Sequence, residues 1–132
     1  MVRPRLVVAV LHNNDLNQVT WELRALGGTP EFVQSQALPE VSYAHFAAGL
    51  GLDATTVTEP DQLGGAWEAA LAADRPHLLD VRCDPDVPPI PPHATLEQMT
   101  DTAKALIKGD PSRWGVIKEG LKTKAQELLP ER

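Results

Sequence analysis

The sequence predicts an α/β fold, a doubly wound parallel sheet of about three strands, and three observations predict it. The apolar, β-branched run Leu6-Val7-Val8-Ala9-Val10-Leu11 stops abruptly at His12-Asn13-Asn14-Asp15, as a strand buried on both faces does. A later run, His77-Leu78-Leu79-Asp80-Val81-Arg82-Cys83, reads as another strand. Between them helical periodicity alternates with one short β-prone segment, the pattern of parallel strands joined by right-handed crossovers.

Composition bounds the class. The 132 residues suffice for one domain, and 42% hydrophobic with 23% charged residues is ordinary for a globular protein. A formal net charge of −6 gives no basic footprint and excludes nucleic acid as the expected partner. The single cysteine, Cys83, cannot form an internal disulfide, so a reducing, cytoplasmic setting is expected. No apolar run approaches the ~20 residues of a transmembrane helix, and none is flanked like a secretory signal.

After the first strand, residues 18–26 form a helix stopped by Gly27-Gly28, and residues 29–41 read as a long surface loop. Tyr43, Phe46, Ala47 and Leu50 recur at helical spacing and share one face of a helix ending near Gly49 and Gly51. Ala54-Thr55-Thr56-Val57 is a second strand. Thr58-Glu59-Pro60-Asp61 opens the next helix, with Thr58 as N-cap and Leu63, Ala66, Trp67, Ala70 and Leu71 as its buried stripe. The strand from His77 follows. Residues 84–94 hold Pro85, Pro88, Pro89, Pro91 and Pro92 and read as a stiff strap. Thr95 and Gln98 make a capping-box pattern before a helix with apolar Leu96, Met99, Ala103, Leu106 and Ile107. Gly109-Asp110-Pro111 breaks it, and Ile117, Leu121, Ala125 and Leu128 mark a last helix ending near Pro130.

The polar cluster sits where ligands collect in open α/β sheets, at the carboxyl end of a strand, and asparagine supplies a neutral oxygen suited to Mg²⁺. In this order the segments resemble the C-terminal cofactor-binding domain of thiamine-diphosphate enzymes. Val8 to Asn14 resembles the end of that family's cofactor motif, which opens with Gly-Asp-Gly and closes with Asn-Asn. Tyr43 to Gly51, Glu59-Pro60-Asp61-Gln62-Leu63 and Arg75-Pro76-His77-Leu78-Leu79-Asp80-Val81 match later family segments. The tail Val87-Pro88-Pro89-Ile90-Pro91-Pro92, then Leu96-Glu97-Gln98, is most similar to the group of pyruvate oxidase, quinone-dependent pyruvate dehydrogenase and acetolactate synthase.

The resemblance implies a division into a partial thiamine-diphosphate-binding domain at residues 1–84, the strap at 85–94 and a helical extension at 95–132. It implies that Asn14 gives its side-chain oxygen and Leu16 its backbone carbonyl to Mg²⁺, with Asn13, Asp15 and Asn17 completing the cofactor-binding stretch. No residue of this chain is expected to be catalytic. The implied reaction is decarboxylation of a 2-keto acid such as pyruvate, with FAD in the parent enzyme bound elsewhere. Gly-Asp-Gly is absent, so the chain reads as a C-terminal fragment that is not competent alone. Its implied partners are N-terminal domains or a companion subunit, within a homo-oligomer. Arg113, Lys118, Lys122 and Lys124 beside Trp114, Val116, Ile117 and Leu121 make a basic amphipathic pattern on the last helix; packing against its own domain is the first expectation, and peripheral contact with the inner membrane face the alternative.

Plainer roles are expected elsewhere. His12 reads as structural and His45 as solvated; His77 and His93 lack zinc spacing, and Cys83 reads as a small core residue. Asp80 is expected to bond backbone, Trp21, Trp67 and Trp114 to pack, and Glu22 to be a surface carboxylate. A different class of function, a non-catalytic module pairing through an open sheet edge, is the alternative.

Overall fold

The computed structural model describes residues 6–89 and 94–128, the last three by backbone alone. In chain order the elements are β1 (Val7–His12), α1 (Asn17–Gly27), α2 (Val33–Gln36), α3 (Tyr43–Gly49) and β2 (Asp53–Val57). They continue with α4 (Gln62–Ala72), β3 (His77–Arg82), α5 (Leu96–Ile107) and α6 (Arg113–Leu128). Two compact units share them. One takes the chain up to Asn13 together with Pro39–Cys83, the other Asn14–Leu38 and the chain from Asp84 onward.

The first unit is the sheet. Its order is β1-β3-β2 and both pairings are parallel. Val7 lies opposite His77 and His12 opposite Arg82, while Asp53 and Val57 of β2 pair with His77 and Val81. Side chains alternate across a strand, so the register sorts the two faces. Leu79 and Val57 join Ala66 and Ala70 of α4 in the core, with Val7, Val81 and Leu63 packed against it. Asp80, one residue on, faces the opposite side, where α3 brings the Ala44 N–H to its carboxylate. Helices on both faces of a parallel sheet make this the expected α/β, doubly wound arrangement.

The strand read as buried on both faces is corrected in part. β3 takes that place, with His77 to Asp80 all buried. β1 lies at the edge among the described residues, leaving Leu11 72% and Val8 36% exposed. Sequence alone cannot tell a central from an edge strand when both are apolar. The α4 stripe is also narrower than periodicity suggests, because only its alanines are deeply buried while Trp67 and Leu71 are exposed. Thr58 does not cap α4. Instead the Gln62 side chain turns back to accept from the Thr58 and Glu59 N–H groups.

The second unit is helical. Gly28 follows α1 in the left-handed conformation (φ 55°), and its N–H closes on the Leu23 carbonyl. A Cβ there would meet the Asp101 carbonyl oxygen at 3.2 Å, so the chain at the end of α1 comes close to α5 at this glycine. Residues 29–41, expected as loop, contain the single turn α2. The expected capping box is present, with Thr95 Oγ1 accepting from Gln98 N–H and the Gln98 side chain from Thr95 N–H. The face α5 turns inward differs from the apolar one: Ala105 is fully buried while Leu96 and Ile107 are more than four-fifths exposed. On α6 Val116 is buried, whereas Trp114, Ile117 and Leu121 are exposed. The Leu128 side chain, Pro130 and the prolines 91 and 92 lie outside the described residues, as does His93. Of the three tryptophans only Trp21 is a buried packing residue, and its indole donates to the Pro85 carbonyl at 3.2 Å.

Candidate functional site

The stretch predicted to bind cofactor begins where β1 ends. Asn13 and Asn14 are half-buried, and Asn14 takes the left-handed conformation at φ 56°, the one described residue other than glycine to do so. Asparagine tolerates that region better than most side chains, so its use here matches its chemistry. Asp15 forms an isolated antiparallel bridge with Ala37. On either side of it the Leu16 N–H donates to Gln36 O and the Leu38 N–H to Asn14 O, both at 2.8 Å. Residues 36–38 therefore brace residues 14–16 through backbone bonds, a support that the sequence did not disclose.

Leu16 is the N-cap of α1, and no side chain caps that end. Its carbonyl accepts from the Val19 and Thr20 N–H groups at 2.8 and 3.1 Å. Asn17 opens the helix and points its amide to the Pro85 carbonyl at 2.7 Å, and to Asp15 at 3.4 Å. Asp15 and Asn17 are thus brought together, and the strap's first proline is fastened to the same turn. No acidic residue occupies the first turn of α1. A helix start without side-chain caps presents its first N–H groups, and the positive end of its dipole, to an anion.

These donors permit a test of fit for a magnesium diphosphate. Asn14 offers an amide oxygen and Asp15 a carboxylate, the hard oxygen donors that Mg²⁺ takes. The Leu16 carbonyl already serves two helix N–H groups, so a cation would share it. Among the described residues no group of three or more His, Cys, Asp or Glu could hold a metal. The set fits a Mg²⁺ that keeps phosphate and water oxygens, and does not fit a metal held by protein alone.

A second cluster, in the sheet unit, joins the ends of β1 and β3. His12, 4% exposed, directs Nδ1 to Asp80 at 2.7 Å, and its Nε2 lies 3.3 Å from Arg82 Nη1. Arg82 is in turn ion-paired with Glu40, whose hydrogen bond holds the guanidinium above its ordinary pKa. The Tyr43 ring meets the imidazole edge-on, with centroids 4.7 Å apart. Because Arg82 can only donate, Nε2 must accept, and Nδ1 carries the proton toward Asp80. Asp80 thus receives both this side chain and the Ala44 N–H, where sequence led us to expect backbone alone. The signals were an aspartate inside an apolar run and a histidine at a strand end. Neither shows which partner it meets.

The helical unit holds a third cluster, with a buried ion pair at its centre and half-buried groups around it. Arg24 and Asp110 are each 1% exposed and form a two-pronged pair at 2.8 and 2.9 Å. Glu31 takes the Arg24 Nη2 at 3.1 Å and the Ser112 hydroxyl at 2.8 Å, and the Trp21 ring lies under the guanidinium. Glu31 and Ser112 N–H groups both donate to Asp110 at 2.9 Å.

With the strand-end turn described, comparison with known proteins decides the family. The family model described as thiamine pyrophosphate enzyme, C-terminal TPP binding domain, matches residues 2–81. The chain belongs to this family. It is also similar to the putative thiamine pyrophosphate-containing protein YdaP of Bacillus subtilis (strain 168), with 29% identity over 103 residues. That similarity covers 78% of this chain and 17% of the relative, so the chain spans about a sixth of that protein's length. As a C-terminal TPP binding domain, the chain pairs with thiamine diphosphate as its cofactor class. No helix among the described residues is long and apolar enough to cross a membrane.

Proposed function

We propose that residues 13–17 supply the Asn-Asn part of a Mg²⁺–thiamine diphosphate site in an enzyme that decarboxylates a 2-keto acid such as pyruvate. The observation that supports this most is the start of α1, free of side-chain caps and preceded at once by the oxygen donors of Asn14 and Asp15. In this reading Asn14 and Leu16 would hold the cation, while the first N–H groups of α1, that of Asn17 included, would meet the diphosphate. Asn13 keeps the turn in shape, and Asp15 adds the one negative charge. Carbanion stabilisation is the chemistry that the cofactor supplies when bound. The chain's own residues bind and orient it, and the chain alone does not turn over pyruvate. Subgroup membership with pyruvate oxidase and acetolactate synthase, FAD held elsewhere in the parent enzyme, a homo-oligomeric assembly and a cytoplasmic location belong to the same proposal. Peripheral membrane contact would fall to α6, where Trp114 is 70% exposed.

Thermal melting with thiamine diphosphate tests the reading. Mg²⁺ and cofactor together should raise the melting temperature by a few degrees at millimolar concentration, with either alone giving less. Asn14→Ala should abolish the increment by removing the side-chain ligand. An equal increment in wild type and variant would count against the assignment.

Among the described residues no strand pairs with the outer edge of β1, which favours one second reading, a non-catalytic module that pairs through this strand. Leu11 is 72% exposed there, and an open apolar edge promotes association. Size-exclusion chromatography with light scattering separates the two: a stable monomer would argue against edge pairing.

A further inference from the structure

Two buried residues invite a question that the cofactor reading leaves open, namely why the strand leading into the asparagine turn ends in a histidine. We propose that His12 is a positioning residue for that turn, held in one tautomer between Asp80 and Arg82. The inference rests on the reading of residues 13–17 as cofactor-binding.

The geometry is over-determined. Asp80 sits in the central strand with no exposed surface and presents one oxygen to His12 at 2.7 Å and the other to the Ala44 N–H at 3.4 Å. Arg82, opposite His12 in the parallel register, donates to Nε2 and is anchored by Glu40. The Tyr43 edge fixes the plane of the ring. The His12 backbone is held as well, since its carbonyl accepts the Cys83 N–H at 3.0 Å. Side chain and backbone therefore pin the last residue of β1 to β3, and the chain leaves the sheet at Asn13 from a fixed point. An apolar side chain here would leave Asp80 with a single weak donor. The imidazole is the group that accepts from Arg82 while donating to Asp80.

The arrangement predicts its own failure. In Asp80→Asn the Ala44 N–H still requires an oxygen, so the new amide NH₂ faces His12 Nδ1. Nδ1 must then accept, and Nε2 carries the proton and meets the Arg82 N–H donor to donor. Adding Arg82→Gln offers Nε2–H an acceptor and restores the match. In Asp80→Asn, nitrogen-resolved NMR of the ligand-free full chain should show the His12 tautomer inverted and the Asn13 amide signals displaced. Asp80→Asn/Arg82→Gln should keep the inverted tautomer yet return Asn13 toward its wild-type shifts. Loss of affinity for Mg²⁺–thiamine diphosphate should be roughly tenfold in the single variant and recovered in the double.

An Nε2–H tautomer in the wild type, or Asn13 signals unmoved when the tautomer inverts, would overturn the proposal. So would failure of the double variant to restore Asn13. If the wild type does not bind cofactor, the cofactor reading fails while the ligand-free spectra still decide the role of His12. Should Asp80→Asn not fold, His12→Asn keeps an amide donor toward Asp80 and should displace Asn13 less than His12→Leu. Equal displacement by those two variants would overturn the proposal.

Discussion

Arg24→Ala is expected to lower the unfolding free energy by roughly 3–5 kcal/mol, the usual cost of removing one member of a buried ion pair. The cation is the only positive charge in its cluster. Without it, Asp110 and Glu31 face each other, with Asp110 at 1% exposure. Arg24→Met should do no better than alanine, because it restores volume and not charge. Arg24→Lys should recover part of the loss, since an ammonium keeps the charge but not the two-pronged fork. Urea denaturation monitored by tryptophan fluorescence reads the difference, and a loss under about 1 kcal/mol would show that the pair is solvated.

The pH dependence of this cluster has a definite sign. Burial pushes the Asp110 carboxyl up, but the hydrogen bond from Arg24, those from the Glu31 and Ser112 N–H groups, and the cation's charge outweigh it. The folded group is therefore held below its ordinary value. Its stabilisation is fully present above the unfolded aspartate value of ~3.9 and is lost as pH falls through the lower folded value. In Arg24→Ala only the Glu31 and Ser112 N–H bonds still oppose burial, so the downward shift shrinks and with it the stability lost on acidification. The gap between wild type and variant should narrow as the solution is acidified, and a gap that widens would contradict the assignment.

Leu79→Ala should cost roughly 3–5 kcal/mol, by loss of buried area and by the cavity left behind. Leu79 lies in the central strand with no exposed surface, and the α4 residues beside it are Ala66 and Ala70. Alanines have no rotamers with which to fill a void, so the site collapses poorly. Leu79→Met preserves volume and should cost less than about 1.5 kcal/mol. Equal losses in the two variants would mean that shape, not volume, governs this core. Amide hydrogen exchange should place the Leu79→Ala effect in the sheet and the Arg24→Ala effect in α1 and α5.

The parallel sheet and its helices were legible because their apolar periodicities are local. Thr95 and Gln98 announced the start of α5 for the same reason, since a capping box is complete within four residues. What stayed hidden depends on partners far along the chain. Nothing near Arg24 points to Asp110, and nothing near His12 points to Arg82. The apolar face read on α5 failed because Gln98, Asp101 and Thr102, polar yet half-buried, lie on the same inward side as Ala105. Exposure of Leu11 marks the opposite case, an apolar strand whose position in the sheet no local pattern records. Asn13-Asn14 was legible as a strand-end turn, and its assignment as half of a cofactor motif rests on the family resemblance. The brace from residues 36–38 was not, because backbone pairing leaves no side-chain signature.

The central claim is that residues 13–17 meet a divalent cation bound to thiamine diphosphate. Mn²⁺ shares the preference of Mg²⁺ for six oxygen donors and broadens nearby NMR signals. Titrating the full chain with Mn²⁺ and thiamine diphosphate should broaden the amide signals of Asn13 to Gln18 first, and only when both are present. Asn14→Ala should remove the effect. Broadening centred on another segment, or identical with Mn²⁺ alone, would contradict the account.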